Sequence, residues 1–285
     1  MKRLIVTSDD FGASTEVNEA VERAHREGIL TAASLMVAAP AAADAVDRAR
    51  ALPGLGVGLH LVLVEGASLL APERLGGLVG PHGRLRTDMA RLGADIFFRP
   101  ALRRRLADEI EAQFATFAAT GLPLDHVNAH KHFHLHPTIA GLIITIGRRY
   151  GMRAMRAPVE PASVLAKVEP VRGDAAGRVA GLWARVLRAR LRRVGLIVPD
   201  QVFGLAWSGA VTAQRLAALL PHLPAGTTEI YSHPATRDDY PGHYPGYRYA
   251  DEFAALIDPD VAVAAAASGA HRVRFADLET PRAPA

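Results

Sequence analysis

The sequence predicts an α/β protein in which about seven parallel strands and their helices form a single barrel. Short β-type runs alternate with stretches of helical periodicity along almost the whole chain, as in repeated βα units. The length of 285 residues suits one large domain, expected to span residues 1–285. Polar residues also collect where the predicted strands end. In a parallel barrel those ends share one face, which is where active sites lie.

The first half of the chain shows this alternation. Residues 4–8 form a β-type run, and the following helix repeats small apolar residues from 17 to 24 at helical spacing. Ser14 or Thr15 can cap that helix, and Gly28 can end it. Further along, the pattern predicts a strand at 33–37, a helix at 41–51 and a strand at 56–61.

The second half continues in the same way, after a stretch at 66–100 that is rich in Gly and Pro. We predict that this stretch is a long binding loop or lid, because it exceeds an ordinary connection. Large apolar residues from 106 to 117 indicate a helix, and Pro137 opens another that Gly151 ends. The other predicted elements are strands at 126–128, 153–156, 229–232 and 272–275, helices at 178–194, 212–220 and 259–267, and a flexible tail from about 277.

Composition excludes several classes of protein. The chain has no Cys, so disulfides, thiolate zinc sites and a cysteine nucleophile are all excluded. A net charge of +4 is too small for a general polyanion binder, and we expect no nucleic-acid partner. Residues 1–7 are too short for a signal peptide, and no apolar stretch approaches the length of about 20 residues that spans a bilayer. These features predict a cytoplasmic protein.

The strand ends carry the residues of a metal site. Asp10 follows the first strand, His60 ends the third, and His130 lies in a histidine-rich run after the fourth. One carboxylate and two neutral imidazoles hold a divalent metal and leave positions open for water and substrate. The neighbouring Asp9 could take a proton from metal-bound water, and His233, after a late strand, could protonate a departing amine.

Other interpretations of this pattern remain open. A single His at a strand end is usually only a hydrogen-bonding residue, and five His between 126 and 136 cannot all be ligands. Two His and one carboxylate also describe non-haem iron oxygenases, although the alternation of strands and helices here argues against their usual all-β fold. A metal-dependent sugar isomerase on the same barrel is a closer competitor. A protein that binds an acetylated sugar without turnover is a third possibility.

Five motifs resemble the YdjC-like carbohydrate deacetylases, in the same order along the chain. They are SDDFG at 8–12, TAASLM at 31–36, GVGLH at 56–60, HKHFHLHP at 130–137 and TEIYSHP at 228–234. The resemblance covers residues 2 to about 256. It implies a distorted (β/α) barrel of about seven parallel strands, similar to a TIM barrel. It also implies one divalent metal ion, Mg or Zn, and removal of acetyl groups from N-acetylated sugars.

The resemblance also assigns roles to particular residues. By motif position, the metal ligands fall on Asp10, His60 and His130, the catalytic base on Asp9 and the late-motif histidine on His233. Family members often have Asp where this chain has Asn128, which puts the role of that position in doubt. We expect substrate contacts from four further residues, His132, His134, Arg156 and Tyr247.

The sequence at 122–136 is most similar to the hopanoid-biosynthesis-associated branch of the family, thought to deacetylate an N-acetylglucosaminyl hopanoid. Soluble chitooligosaccharides are the alternative substrate. A lipid-linked substrate would suit a basic amphipathic helix at 178–193, which could bind the inner face of the membrane. An ordinary barrel helix with a solvated arginine face is the alternative. In both interpretations the basic residues of the helix at 178–193 are Arg178, Arg185, Arg188, Arg190, Arg192 and Arg193. A homodimer is also compatible with the sequence.

Overall fold

Seven strands form one parallel sheet in the computed structural model, which describes residues 1–170 and 175–279. The strands are β1 (Lys2–Phe11), β2 (Ala32–Leu35), β3 (Gly56–Leu61), β4 (Val127–Ala129), β5 (Gln201–Phe203), β6 (Gly226–Ser232) and β7 (Ala270–Arg272). The α-helices of the first half are α1 (Thr15–Glu27), α2 (Ala42–Arg50), α3 (Pro72–Leu75), α4 (Met89–Phe98), α5 (Pro100–Ala119) and α6 (Pro137–Arg149). Those of the second half are α7 (Ala162–Leu165), α8 (Ala175–Arg193), α9 (Ala213–Leu219), α10 (Tyr249–Ile257) and α11 (Pro259–Ala267).

The sheet curls into a distorted barrel. Its strand order is β4-β3-β2-β1-β6-β5, and the short β7 pairs with the beginning of β1. Between β4 and β5 there is no regular strand among the described residues. Instead, Met155 bridges Val127 of β4, and Ala154 bridges Ile197 ahead of β5, both in parallel sense. The predicted fold class is therefore confirmed, and the predicted strand at 153–156 is reduced to single bridges.

Helices cover the outside of the sheet, so the central strands are buried on both faces, as parallel strands usually are, whereas the short β7 is largely exposed. Every residue of β2 and β3 is buried. The first helix shows how the sequence sets its own limits. The Ser14 hydroxyl accepts a hydrogen bond from the Val17 N–H, which caps α1 as predicted, and the Gly28 N–H bonds back to the Ala24 carbonyl. The helix then buries Val17, Ala20, Val21 and Ala24 against the sheet.

Several elements differ from the sequence prediction. The segment 66–100, expected to be a long loop, contains α3, a 3-10 turn at Gly76–Leu78 and α4. Gly and Pro dominate only its first part, whereas α4 buries Leu92 and Ile96 at helical spacing. The last strand ends at Arg272, earlier than predicted, and Phe275 begins a 3-10 turn. Neither β5 nor α10 was predicted.

Two further expectations concern the C-terminal tail and membrane-spanning helices. The C-terminal tail, expected to be flexible from about 277, lies outside the described residues from 280 onward. Within the described ranges, no helix combines the length and the apolar character needed to cross a bilayer.

Candidate metal centre and active site

The two adjacent carboxylates sit where β1 leaves the sheet. Pairing between β1 and β2 shifts register between Ser8 and Phe11, and Asp10 adopts the left-handed conformation with φ of 62°. A non-glycine residue rarely adopts that conformation, and such strained residues cluster at functional sites. Both carboxylates lie at the same end of the barrel, beside His60. Each is close enough to that ring for His60 to lower its pKa.

Asp10, His60 and His130 form a compact cluster of possible ligands. Oδ1 of Asp10 lies 3.3 Å from Nε2 of His60 and 3.4 Å from Nδ1 of His130, and the three ligand atoms lie within 4.8 Å of one another. Asp10 Oδ1 and His60 Nε2 are buried without any hydrogen-bond partner that meets normal geometry. Two buried, converging polar atoms of this kind fit a divalent metal ion, which would satisfy both.

The environment of Asp10 favours the charged form that a metal ligand needs. Burial opposes ionisation, but interactions with His130 and His60 outweigh it and hold the pKa of Asp10 well below its usual range. His60 is oriented from behind by Asn128, whose Oδ1 accepts a hydrogen bond of 2.7 Å from Nδ1. With Nδ1 bonded to Asn128, Nε2 is the ring nitrogen that faces Asp10, and it could bind a metal ion in place of a proton.

Asn128 therefore has a role that the sequence left in doubt. Its side-chain oxygen accepts from His60, and its amide nitrogen donates to Asp9 Oδ1 at 3.0 Å and to the Ser34 hydroxyl at 2.8 Å. A carboxylate here could accept from His60, but it would place a second negative charge beside Asp9. The amide orients the histidine and hydrogen-bonds the aspartate at the same time.

Asp9 is held by a buried network rather than by the cluster. Both of its oxygens receive hydrogen bonds from the Arg156 guanidinium, at 2.6 and 2.9 Å, and Oδ1 also receives one from the Ser34 hydroxyl at 3.1 Å. Burial alone would raise the pKa of Asp9, but the charge and hydrogen bonds of Arg156, together with the charges of His60 and His233, outweigh it and bring the pKa well below its ordinary value. The carboxylate is thus ionised and fixed in one orientation.

Arg156 itself is fully buried beneath Asp9. Its remaining donors bind Oε1 of Glu229 on β6 at 2.9 and 2.6 Å, and its guanidinium lies 4.5 Å from the ring centre of Tyr231. Exposure of Arg156 and of Glu229 is 0%. These contacts position Asp9, and the substrate contact expected for Arg156 from the sequence stays an untested prediction.

The histidine run separates into residues with different surroundings. His130 belongs to the ligand cluster, whereas His126 lies beneath it and contacts the Ser34 hydroxyl at 3.0 Å. His132 contacts the Tyr231 hydroxyl at 3.0 Å, and His134 contacts the Arg156 carbonyl at 3.1 Å. Burial and the charge of Arg156 lower the pKa of both, that of His134 to about 3, so both rings are neutral. Their predicted substrate contacts are not tested.

His233 lies at the end of β6 between two tyrosine rings, 5.7 Å from the ring centre of Tyr231 and 5.3 Å from that of Tyr247. Its backbone N–H donates to Glu252 Oε2 at 2.5 Å, and its Nδ1 is 3.8 Å from the same oxygen. Glu252 is fully buried on α10, and burial raises its pKa. Sequence reasoning missed Glu252, because the helix that carries it was not predicted.

The rim of the site joins loops from three strands. Lys131 forms an ion pair with Glu65, after β3, and lies 5.1 Å from the ring centre of Tyr244. Lys131, His132 and Glu65 all have positive φ, between 52° and 56°. Tyr247, a predicted substrate contact, is half-buried at this rim, and its hydroxyl bonds to that of Ser208 at 2.8 Å. The structure thus brings Tyr247 to the same mouth as His233.

The fold and this arrangement define a class of protein, an α/β barrel with a candidate metal centre at the carboxyl ends of its strands. Residues 3–267 match the sequence profile described as YdjC-like protein, and the chain belongs to this family. The family expected from the sequence motifs is thereby confirmed.

Curated relatives carry the name carbohydrate deacetylase. The Geobacillus stearothermophilus protein is 29% identical over 279 residues, which cover 96% of this chain and 97% of that protein. The Thermoanaerobacter pseudethanolicus protein is 27% identical over 241 residues, 84% of this chain and 83% of that protein. The Brevibacillus brevis protein is 37% identical over 148 residues, 52% of this chain, so the match spans little more than half of that relative's length, 56%.

A solved structure shows the same fold. A protein from Enterococcus faecalis described as a cellobiose-phosphate cleavage protein superposes with a TM-score of 0.76, covering 98% of this chain and 99% of that one. Sequence identity between the two is 22%, so the likeness concerns the fold alone.

Proposed function

We propose that the protein hydrolyses the acetamide of an N-acetylated sugar at a divalent metal and releases acetate and the free amine. The observation that carries the proposal is the cluster of Asp10, His60 and His130, with two buried ligand atoms that lack other partners. The names of the relatives that align along most of the chain support the substrate class.

The ligand set bears on the identity of the metal. Two imidazole nitrogens and one carboxylate oxygen are donors typical of zinc, whereas magnesium prefers oxygen ligands alone. Zinc is therefore favoured, and magnesium is the other candidate. When bound, such an ion polarises a carbonyl oxygen and acidifies coordinated water.

Asp9 is the proposed proton acceptor. Its pKa is low because Arg156 binds both of its oxygens, so it is a weak base and accepts a proton only from an acidified water. The same contacts fix the direction in which its carboxylate points. Arg156, Ser34 and Asn128 thus act through Asp9, as positioning residues.

His233 is the proposed proton donor to the departing amine. The tyrosine rings on either side restrict its imidazole, and the buried Glu252 carboxylate faces its Nδ1 at 3.8 Å. The opposite ring nitrogen, Nε2, is the one left to meet the substrate. Asp9 lies near enough to His233 for the two charges to interact, as an acid and a base acting on one bond require.

The particular substrate is proposed from the sequence of the histidine run together with the outer surface. We favour a glycolipid of the N-acetylglucosaminyl hopanoid type, processed at the cytoplasmic face of the membrane, over soluble chitooligosaccharides. The aromatic side chains at the rim, Tyr244 and Tyr247 among them, could stack on a sugar ring. Exposed apolar residues on α8 favour a lipid-linked acceptor over a soluble one.

Free acetate tests the reaction type. The purified protein, incubated with N,N′-diacetylchitobiose or with an N-acetylglucosaminyl lipid, should release acetate and a primary amine in equal amounts. A metal-dependent isomerase would convert a sugar without releasing acetate, and a binding protein would release none. Each of those results would contradict the proposal. The His130→Ala variant serves as the inactive control.

A further inference from the structure

The outward face of α8 exposes four large apolar side chains. Val179, Leu182, Trp183 and Val186 are 57%, 60%, 45% and 50% exposed. Their spacing of three, one and three residues places them in one stripe along the helix. The side chains that α8 buries against the barrel, among them Leu187 and Leu191, belong to a different face. Helix α8 is therefore apolar on two faces, and among residues 1–170 and 175–279 no packing within the barrel covers these four outer side chains.

Positive charge accompanies the outer stripe. The sequence contains no acidic residue between 174 and 200. Arg193 lies seven residues after Val186 and continues the stripe, and Arg185 lies one turn from Leu182; both arginines are exposed. An apolar stripe bordered by arginine complements a surface that is anionic and apolar beneath, such as the headgroups and acyl chains of a bilayer.

The structure changes which arginines can take part. Arg188 and Arg192 both bind Asp200, and Arg190 donates to the Pro137 carbonyl at 2.8 Å. The sequence suggested that arginines along the whole helix could hold the protein at a membrane, but these three are engaged by the protein itself. Attachment would then depend mainly on the four apolar side chains, with Arg185 and Arg193 adding attraction.

A second copy of the chain fits this surface less well. Two-fold pairing of α8 with itself would bring the same arginines face to face, without an acidic residue on the helix to compensate. A stable interface also buries about 800 Å² on each partner, which exceeds what four half-exposed side chains provide.

Helix α8 is also placed beside the candidate active site, since it packs against the His130–Leu135 turn that carries a metal ligand. We propose that the stripe of Val179, Leu182, Trp183 and Val186 inserts into an anionic bilayer and presents the barrel mouth to sugar headgroups at its surface. Binding to the bilayer stands on the stripe and its charge alone, whereas the sugar headgroup rests on the proposed function.

Tryptophan fluorescence provides a direct test, because the chain has two tryptophans and only Trp183 is exposed; Trp207 is 3% exposed. With phosphatidylglycerol–phosphatidylcholine vesicles, emission of the wild type should shift to the blue and the protein should co-sediment. The Trp183→Phe variant should bind without the shift. Leu182→Ser with Val186→Ser should weaken binding at least about tenfold. The matched control is Val263→Ser on α11, where a valine that is more exposed, at 68%, lies outside the stripe.

Varying the salt concentration separates the apolar contribution of the stripe from the electrostatic contribution of the arginines. Arg185→Glu with Arg193→Glu should weaken binding at low ionic strength, whereas binding by the stripe should persist in part at 1 M salt, where the Debye length is about 3 Å. Failure of the wild type to sediment with anionic vesicles at low salt would overturn the proposal. So would a dimer in light scattering that the Leu182→Ser, Val186→Ser variant dissociates. Acetate release from soluble N,N′-diacetylchitobiose does not depend on vesicle binding or on dimer formation, so it reports on the proposed function alone.

Discussion

Replacing Arg156 by Met should destabilise the protein strongly, because Arg156 is the cation that binds two buried carboxylates. Asp9 and Glu229 are 2% and 0% exposed, and four hydrogen bonds of 2.6–2.9 Å join them to the guanidinium. Methionine fills a similar volume but supplies neither charge nor donors. Both carboxylates would then have to be protonated or hydrated in the folded state.

The magnitude follows from the cost of breaking a buried ion pair. Removing one partner typically costs about 3–5 kcal/mol, because it leaves an uncompensated buried charge. For a domain of this size, each kcal/mol lowers Tm by roughly 2–4 °C. The Arg156→Met variant should therefore melt roughly 6–20 °C below the wild type. Adding Glu229→Gln should recover part of that loss, since it removes one of the two unpaired charges.

Calorimetry or circular dichroism measures this change, with Arg104→Met as the control. Arg104 is exposed on α5, so its replacement should leave Tm within about 1 °C. Arg156→Lys keeps the charge but loses the paired geometry at Asp9, and it should lower kcat with little change in KM.

Two results would refute this reasoning. One is an Arg156→Met protein that melts within about 2 °C of the wild type. The other is an Arg156→Lys enzyme with normal kcat and raised KM, which would restore the substrate contact predicted from the sequence.

Four further predictions concern the division of labour in the site. Asp10→Asn should lose bound zinc, as measured by mass spectrometry, while Asp9→Asn should retain it and lose about 10²–10⁴-fold in kcat, the usual scale for a general base; equal metal loss in both would contradict the assignment. His233→Ala should lower kcat far more than metal affinity, and a normal kcat on the acetamide would remove it from the mechanism. Glu252→Gln removes the charge and, because an amide has only one acceptor oxygen, keeps only one of the two backbone hydrogen bonds that Glu252 accepts from Val211 and His233, so kcat should fall with metal content unchanged; an unchanged kcat would exclude a role for Glu252 in positioning His233. Asn128→Asp should weaken catalysis by placing a second charge beside Asp9, with unchanged kcat as the contrary result.

The sequence predicted the parts of the site that lie next to each other in strand-end motifs. Asp10, His60 and His130 could be found because a metal needs those donor types and a parallel barrel gathers strand ends. The polar network behind them could not, since it joins residues far apart along the chain, such as Asp9 and Arg156, 147 positions apart. Nothing local in the sequence distinguishes a buried, charge-paired arginine from one that faces a substrate.

The secondary structure was also predicted only where the sequence carries a local pattern. Helices with a clear apolar period, such as α1 and α6, were predicted close to their observed bounds. The three-residue strand β5 has no periodicity to detect, and α4 was hidden by the Gly-rich turn that precedes it. Helix α10 carries Glu252 inward, so its missed prediction also concealed the carboxylate that faces His233.

Acetate release before and after metal removal tests the central claim most directly. The purified protein is treated with a chelator, dialysed, and assayed on N,N′-diacetylchitobiose with zinc, with magnesium and with neither. We predict that chelation abolishes turnover and that one equivalent of a divalent metal restores it in the wild type but not in His60→Ala. Undiminished acetate release from protein shown to be free of divalent metal would contradict a metal-dependent deacetylase at Asp10, His60 and His130.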